Sequence, residues 1–339
     1  MASLYTFDIL KLVTVVFAAN VVLLFTYLKS SRHFHWFDKP DEARKLHSIA
    51  KPTSAGLVFM LPLLLFGLKY PQLQYFNTGL LVLLVLGGVD DFKAISVRLR
   101  LIVIFFVCGY FMYSLFYGSE KLNYSLMVIY LLGLIWWLNL YNFMDGVDGM
   151  TVLHAIVTTI GYIVAFGTLE HLGDVRSFDF SYALLFLFCL LSFLLFNFPK
   201  SRMFMGDSGS LSVAFVLAGF ALYGLSENIF DEILIISFHL LFIVDTTLTL
   251  FTRMKFKHKL AEAHNLHLFQ AMVFTGKSHA HVSAIYALIT VILVVITLYL
   301  QFVQVDFLIR VSALFLEATV LSFLWVKFHN KTKFERFVK

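Results

Sequence analysis

The stretch Leu80-Leu-Val-Leu-Leu-Val-Leu-Gly-Gly-Val-Asp-Asp91 is an apolar run that ends on two carboxylates. Such a run predicts a helix within the hydrocarbon layer of a membrane, which is about 30 Å thick. Three more aspartates stand beside apolar runs in the same way: Asp145, Asp148 and Asp207. Unpaired charge at a bilayer boundary is costly. Five acids on one membrane face therefore indicate a shared cation.

The composition also indicates a membrane protein. The 339 residues are 60% hydrophobic and 14% charged, with a mean hydropathy of +0.85, which is outside the range of soluble domains. We predict an all-α polytopic membrane protein with one domain over residues 1–339 and about 11 transmembrane helices. The apolar segments run over residues 8–28, 55–69, 75–89, 101–118, 124–139, 150–168, 181–198, 210–226, 232–252, 283–303 and 307–328.

The positions of Lys and Arg predict the orientation. Most of them follow the odd-numbered segments, in the links after residues 28, 89, 198 and 252 and in the C-terminal tail. By the positive-inside rule these parts are cytoplasmic, so the N-terminus is periplasmic and the C-terminus is cytoplasmic. The net charge of +5 then reflects topology and attraction to anionic membrane lipid. Nucleic acid is excluded as a partner.

Two acidic motifs have a spacing that suits a metal–diphosphate site. Asp145 and Asp148 stand at i and i+3, each followed by glycine, so on a helix they share one side. Asp207 lies in Gly206-Asp-Ser-Gly-Ser210, just before another apolar segment. A helix that begins there presents free N–H groups to anions. A single such acid is as readily a helix cap or a solvated loop residue, but the two motifs on one face favour a site.

Basic residues and histidines near the same face are weaker candidates. Lys51, at the mouth of the second segment, could meet a lipid phosphate or be an ordinary cytoplasmic charge. His264 and His267 stand at i and i+3 and, with Arg253, could hold a phosphate or carry a proton. Asp245 lies inside the ninth segment. An acid at that depth is either functional or hydrogen-bonded to a neighbouring helix.

These motifs, in this order, resemble the polyprenyl-phosphate N-acetylhexosamine-1-phosphate transferases (glycosyltransferase family 4). The resemblance runs from His47 and Lys51 through Asp90-Asp91, Asn142-Phe-Met-Asp-Gly-Val-Asp-Gly149 and Phe204-Met-Gly-Asp-Ser-Gly-Ser210 to the histidine loop. It implies transfer of a sugar 1-phosphate from a UDP-N-acetyl sugar to undecaprenyl phosphate, with release of UMP. It further implies Mg²⁺ as the cofactor, with Mn²⁺ as a substitute, a place in the bacterial inner membrane, and a homodimer.

The resemblance also implies a role for each site residue. Whether one of the Asp90-Asp91 pair acts as a base or an aspartyl nucleophile is left open. We favour direct attack by the lipid phosphate, because that group is already largely ionised near neutral pH. The implied metal ligands are Asp91, Asp148 and Asp207; the implied catalytic residues are Asp90, Asp91, His264 and His267; the implied substrate-binding residues are His47, Lys51, Asn142, Asp145, Asp148 and Arg253.

One motif departs from the better-known members of the family. Their loop carries a His-x-His-His run, where this chain reads His264-Asn-Leu-His-Leu-Phe-Gln270. The variant is similar to the O-antigen-initiating branch, which implies a GlcNAc or 6-deoxy-HexNAc donor for lipopolysaccharide O-antigen or a related polysaccharide. A muramoyl-pentapeptide donor is disfavoured.

Two other classes of protein share parts of the pattern. CDP-alcohol phosphotransferases use Asp-Gly motifs at membrane faces, but they place Ala-Arg soon after the first one, and Met-Thr-Val-Leu-His follows Gly149 here. Secondary transporters put their coupling acids near the midplane. In this chain only Asp245 approaches that depth. Both classes stay as alternatives.

Overall fold

The computed structural model describes residues 2–34, 37–38, 50–116, 124–169, 178–258 and 265–331. Within these ranges the chain is helical except for one antiparallel strand pair, β1 (Phe37–Asp38) and β2 (Lys51–Pro52). The all-α prediction is confirmed. The helices are α1 (Ala2–Phe34), α2 (Gly56–Phe59), α3 (Leu61–Gly67), α4 (Gln74–Phe92), α5 (Val97–Phe116), α6 (Tyr124–Met144), α7 (Met150–Leu169), α8 (Phe178–Asn197), α9 (Gly206–Ser226), α10 (Glu232–Lys255), α11 (Leu268–Phe274), α12 (His279–Phe302) and α13 (Phe307–Lys331).

Nine helices in the described part of the chain are long and apolar enough to cross a membrane. Two of the predicted segments coincide with shorter apolar helical stretches, Gly56–Gly67 and Ser181–Asn197. The chain is thus a polytopic membrane protein, while the count of 11 spans and the orientation stay predictions.

The segment predicted over residues 55–69 is two short helices rather than one. Helix α2 ends at Phe59, and α3 begins at Leu61 with Pro62 in its first turn. Proline is accepted in a first turn because the N–H groups there have no intrahelical partner. Pro62 was a sign of this division in the sequence, because a helix tends to end before a proline.

Helix α9 lies at the centre of the bundle, with nearly all of its residues buried. Its N-terminal end touches α4 and α2 backbone to backbone. A Cβ atom on Gly87 would lie 2.3 Å from the Ser208 nitrogen, and one on Gly56 would lie 2.1 Å from the Gly209 nitrogen. Only glycine allows this approach. It brings the end of α4, with Asp90 and Asp91, beside the start of α9.

Gly87→Ala is expected to destabilise the protein by about 2 kcal/mol or more, because the added methyl group meets backbone atoms that cannot move aside. The matched control is Gly109→Ala on α5, where nothing lies within 4 Å of the added Cβ. That variant is expected to be as stable as the wild type or more stable, since alanine favours helix. Thermal unfolding in one detergent measures both. Equal midpoints for the two variants would contradict the packing described here.

Candidate active site

The predicted acids line one cavity of about 690 Å³. It lies where the C-terminal ends of α4 and α6 meet the N-terminal end of α9. Residues of β1 and the loop before α9 complete its wall. The structure therefore brings together side chains that are far apart in sequence. The predicted site residues that line the cavity are Asp90, Asp91, Asn142, Asp145, Asp148 and Asp207.

Asp91 is bound to the first turn of α9. Its Oδ1 accepts a hydrogen bond from the Asp207 N–H at 2.7 Å, and its Oδ2 accepts from the Ser208 N–H at 3.3 Å and the Ser208 hydroxyl at 2.9 Å. A carboxylate at a helix N-terminus is favoured by both the free N–H groups and the helix dipole. Gly206 has a φ of +72°, and a Cβ there would lie 2.4 Å from Asp91 Oδ2. Glycine at position 206 is thus needed for this contact.

Arg100 joins Asp90 to Asp207. Its Nη1 lies 3.3 Å from Asp90 Oδ2 and 3.4 Å from Asp207 Oδ2. The other oxygen of Asp90 accepts from the Ile95 N–H at 2.6 Å. Asp207 Oδ1 accepts from the Asn142 amide at 2.8 Å. Every oxygen of these two carboxylates therefore has a donor from the chain itself.

Asp145 lies in the loop between α6 and α7 and accepts a hydrogen bond from the Thr151 hydroxyl at 2.7 Å. Burial raises its pKa to about 7, and the charges of Asp91 and Asp148 act in the same direction, although the bond from Thr151 opposes them. Near neutral pH this carboxyl can therefore take either protonation state. A nearby cation would favour the ionised state.

Asp148 is held by two basic side chains and a backbone donor. Lys51 Nζ lies 3.4 Å from both of its oxygens, His279 Nδ1 lies 3.4 Å from Oδ1, and the Ser201 N–H donates to Oδ2 at 3.1 Å. Burial alone would raise the pKa of Asp148, but these hydrogen bonds and positive charges outweigh it and lower the pKa. Lys51 also lies 4.8 Å from the centre of the Phe204 ring. Asp148 lines the cavity, and Lys51 lies directly beside it.

The donor atoms suit a hard divalent cation, although no ready-made cage is present. Among the residues that the structure describes, no three His, Cys, Asp or Glu side chains are grouped closely enough to hold a metal ion. Mg²⁺ commonly uses only one or two carboxylates and takes its other ligands from water and substrate phosphates. Asp207, whose side chain is 32% exposed, is more accessible than Asp148, whose side chain is 8% exposed. The composition of the metal site stays a prediction.

Within the described part of the histidine loop, Gln270 lines the cavity and His267 does not. His267 is buried, and its Nδ1 lies 3.8 Å from Asp245 Oδ1. Asp245 also accepts from the Leu268 N–H and the Trp325 indole. The sequence left two interpretations of Asp245 open, a functional role and a hydrogen bond to a neighbouring helix. These contacts agree with the hydrogen bond. Arg253 is buried near the end of α10.

Two predicted residues, His47 and His264, lie outside the described residues. The roles predicted for His267 and Arg253 stay predictions, as do the catalytic roles of the acids.

Several residues of the site were missed by sequence reasoning. Arg100 was counted only as a cytoplasmic charge, His279 was assigned no role, and Ser208 and Gln270 were not singled out. Gln270 lines the cavity from α11, and its side chain accepts a hydrogen bond from the His267 N–H at 3.1 Å. The spacing of Arg100, about ten residues after Asp90, was the one available signal.

The fold and the site define the class of protein: a helical membrane protein with a carboxylate-lined cavity at the ends of its helices. Residues 73–225 match the family described as Glycosyl transferase family 4. Together with the relatives below, this confirms the resemblance of the motifs. These findings support the polyprenyl-phosphate N-acetylhexosamine-1-phosphate transferase family for this chain.

Three relatives illustrate the similarity. The chain is 25% identical over 334 residues, 89% of each chain, to the probable undecaprenyl-phosphate N-acetylglucosaminyl 1-phosphate transferase of Bacillus subtilis (strain 168). It is 29% identical over 180 residues, 52% of each chain, to the undecaprenyl-phosphate alpha-N-acetylglucosaminyl 1-phosphate transferase of Thermotoga maritima. It is 25% identical over 268 residues, 69% of this chain and 78% of the relative, to the phospho-N-acetylmuramoyl-pentapeptide-transferase of Leuconostoc citreum.

Proposed function

We propose that this protein transfers a HexNAc-1-phosphate from a UDP-N-acetyl sugar to undecaprenyl phosphate and releases UMP. The observation that carries the proposal is the single cavity into which the five aspartates and Asn142 converge. The relatives in Bacillus and Thermotoga are named for the same type of transfer. We place the enzyme in the bacterial inner membrane with the cavity at the cytoplasmic face, and assign it to the first membrane step of O-antigen or related polysaccharide synthesis. The donor carries GlcNAc or a 6-deoxy-HexNAc.

The cavity can supply what a diphosphate substrate needs. Bound Mg²⁺ would neutralise charge on the phosphate oxygens, with Mn²⁺ as a substitute. Asp207 would hold the ion because its side chain is 32% exposed and the Asn142 amide fixes the orientation of its carboxylate. Arg100 adds positive charge to the lining of the cavity, and Lys51 adds positive charge beside Asp148. Both are suited to phosphate oxygens.

The hydrogen bonds of Asp90 and Asp91 favour direct attack. Each of their oxygens already accepts a bond from the chain, so these carboxylates are placed to position Arg100 and the first turn of α9. The phosphate group of the lipid is largely ionised near neutral pH, because the second pKa of a phosphate monoester is about 6. A lipid phosphate oxygen would bond to the sugar-bound phosphorus. The bond from that phosphorus to the bridging oxygen would break, and UMP would leave with the electron pair.

Lys51→Ala is expected to raise the apparent KM for undecaprenyl phosphate about tenfold, since a charge-assisted hydrogen bond contributes about 1.5 kcal/mol or more. The KM for the nucleotide sugar is expected to change less. The matched control is Lys93→Ala, an exposed lysine just after α4, with kinetics expected to equal those of the wild type. Equal increases in both KM values for Lys51→Ala would argue against a contact with the lipid phosphate.

A radiolabelled donor tests the reaction itself. Purified protein would be incubated with Mg²⁺, undecaprenyl phosphate and labelled UDP-GlcNAc, a UDP-6-deoxy-HexNAc or UDP-MurNAc-pentapeptide. The expected result is label in an organic-extractable lipid together with an equal amount of UMP, from one of the first two donors. A transporter would leave the donor intact, and a CDP-alcohol phosphotransferase would require a CDP-linked donor. Either outcome would refute the proposed function, and transfer from UDP-MurNAc-pentapeptide alone would refute the choice of sugar.

A further inference from the structure

One nitrogen of the Arg100 guanidinium lies between an oxygen of Asp90 and an oxygen of Asp207. Nη1 lies 3.3 Å from Asp90 Oδ2 and 3.4 Å from Asp207 Oδ2, and the side chain lines the cavity. Its exposed fraction is 16%, against 9% for Asp90 and 32% for Asp207. Both contacts are long for charge-assisted bonds, which are commonly about 2.8 Å. The guanidinium is thus shared between two carboxylates and tightly bound to neither.

We propose that Arg100 competes with a divalent cation for Asp207 Oδ2 and, once displaced, binds a phosphate oxygen of the nucleotide sugar. The second half of this inference depends on the proposed function. Displacement is expected because a guanidinium and a divalent cation on one carboxylate oxygen repel each other. The guanidinium cannot relieve that repulsion by losing its proton.

Asp90 keeps the displaced side chain in the cavity. The contact between Nη1 and Asp90 Oδ2 does not involve Asp207, and the Ile95 N–H fixes the other oxygen of Asp90. Asp90 therefore serves as an anchor from which the guanidinium can turn. This assigns Asp90 a role that differs from that of Asp91, whose oxygens bind α9.

The guanidinium also has an unused donor. The Nε atom of Arg100 is buried and has no hydrogen-bond partner within the described structure. A buried donor without an acceptor is unfavourable, and the planar fork of arginine matches phosphate oxygens well. A phosphate that enters the cavity would satisfy this donor. Cation binding and substrate binding are thereby coupled through one side chain.

Binding of Mn²⁺ alone tests the first half of the inference. Free Mn²⁺ would be measured by electron paramagnetic resonance in detergent-solubilised full-length protein, without nucleotide. Arg100→Gln is expected to lower the Kd for Mn²⁺ about tenfold, because a positive charge next to the site is lost. The matched control is Arg98→Gln, two residues earlier and exposed, with an unchanged Kd. An unchanged or higher Kd in Arg100→Gln, at an unchanged unfolding midpoint, would overturn the competition.

Binding of UDP at saturating Mn²⁺ tests the second half. Arg100→Gln is expected to raise the Kd for UDP about tenfold, whereas a purely structural Arg100 would leave it unchanged in the folded protein. Arg100→Lys keeps the charge but loses the fork, so its Kd for Mn²⁺ is expected to stay within about twofold of the wild type while that for UDP rises. If Arg100→Gln fails to fold, this variant decides: wild-type affinity for UDP would overturn the inference.

The two proposals fail in different ways. Wild-type protein that binds Mn²⁺ and UDP as expected but transfers no label would refute the proposed function and leave the competition standing. Label transfer by wild-type protein, with the same Mn²⁺ affinity in Arg100→Gln, would refute the competition alone.

Discussion

Asp207→Asn is expected to lower turnover about 1000-fold, which corresponds to about 4 kcal/mol of lost transition-state stabilisation. The reason is the loss of negative charge at the carboxylate that we propose as a ligand of the divalent ion, whose side chain is 32% exposed. The side chain can still accept the hydrogen bond that the Asn142 amide donates at 2.8 Å, so membrane insertion and the unfolding midpoint are expected to stay unchanged. Initial rates at saturating Mg²⁺ and both substrates measure the effect.

The control for Asp207→Asn is Asp306→Asn, which removes the same charge far from the cavity. Asp306 is exposed and its Oδ1 accepts from the Leu308 N–H, a local bond just before α13. Its variant is expected to keep wild-type turnover. Near-normal turnover of Asp207→Asn would remove Asp207 from the metal site.

Asp245→Ala is expected to lower the free energy of unfolding by about 3 kcal/mol or more, because it leaves buried donors without an acceptor. Asp245 is fully buried and accepts from the Leu268 N–H at 2.8 Å, the Tyr286 hydroxyl at 2.8 Å and the Trp325 indole at 3.0 Å. The first bond holds the start of α11, which carries Gln270 to the cavity. Activity is therefore expected to fall together with stability.

Asp245→Asn distinguishes a structural role of Asp245 from a role in the reaction. Its amide keeps one acceptor oxygen, so its unfolding midpoint in detergent is expected to lie between those of the wild type and Asp245→Ala. Turnover per folded molecule is expected to follow the same order. A wild-type midpoint together with a large loss of turnover would instead give Asp245 a part in the chemistry.

The sequence was sufficient to predict features that depend on the type of residue at one position or in one local run. An apolar run such as residues 75–89 has few stable positions outside a membrane, so the helices could be placed without any contact information. The acids Asp91, Asp148 and Asp207 could be assigned to one face because each follows or precedes such a run. Their convergence on one cavity agrees with that assignment.

The sequence was not sufficient for pairings between distant residues. Lys51 and Asp148 are 97 positions apart, and nothing in either motif indicates that they meet. The same holds for Arg100 and Asp207. The contact of His267 was also not predicted. Its spacing to His264 indicated phosphate chemistry, which stays a prediction, and its ring lies beside the buried Asp245. The break at Met60 was missed because the run was interpreted from its apolar composition, whereas Pro62 favours a helix boundary just before it.

The central claim is that carboxylates distant in sequence hold one divalent ion at a single membrane face. Anomalous diffraction from crystals grown with Mn²⁺ and UDP tests it most directly. The expected result is a manganese peak inside the cavity, about 2.2 Å from a carboxylate oxygen of Asp207, with the UDP phosphates on its other side. A manganese peak elsewhere, or none in the cavity at saturating Mn²⁺, would contradict the claim.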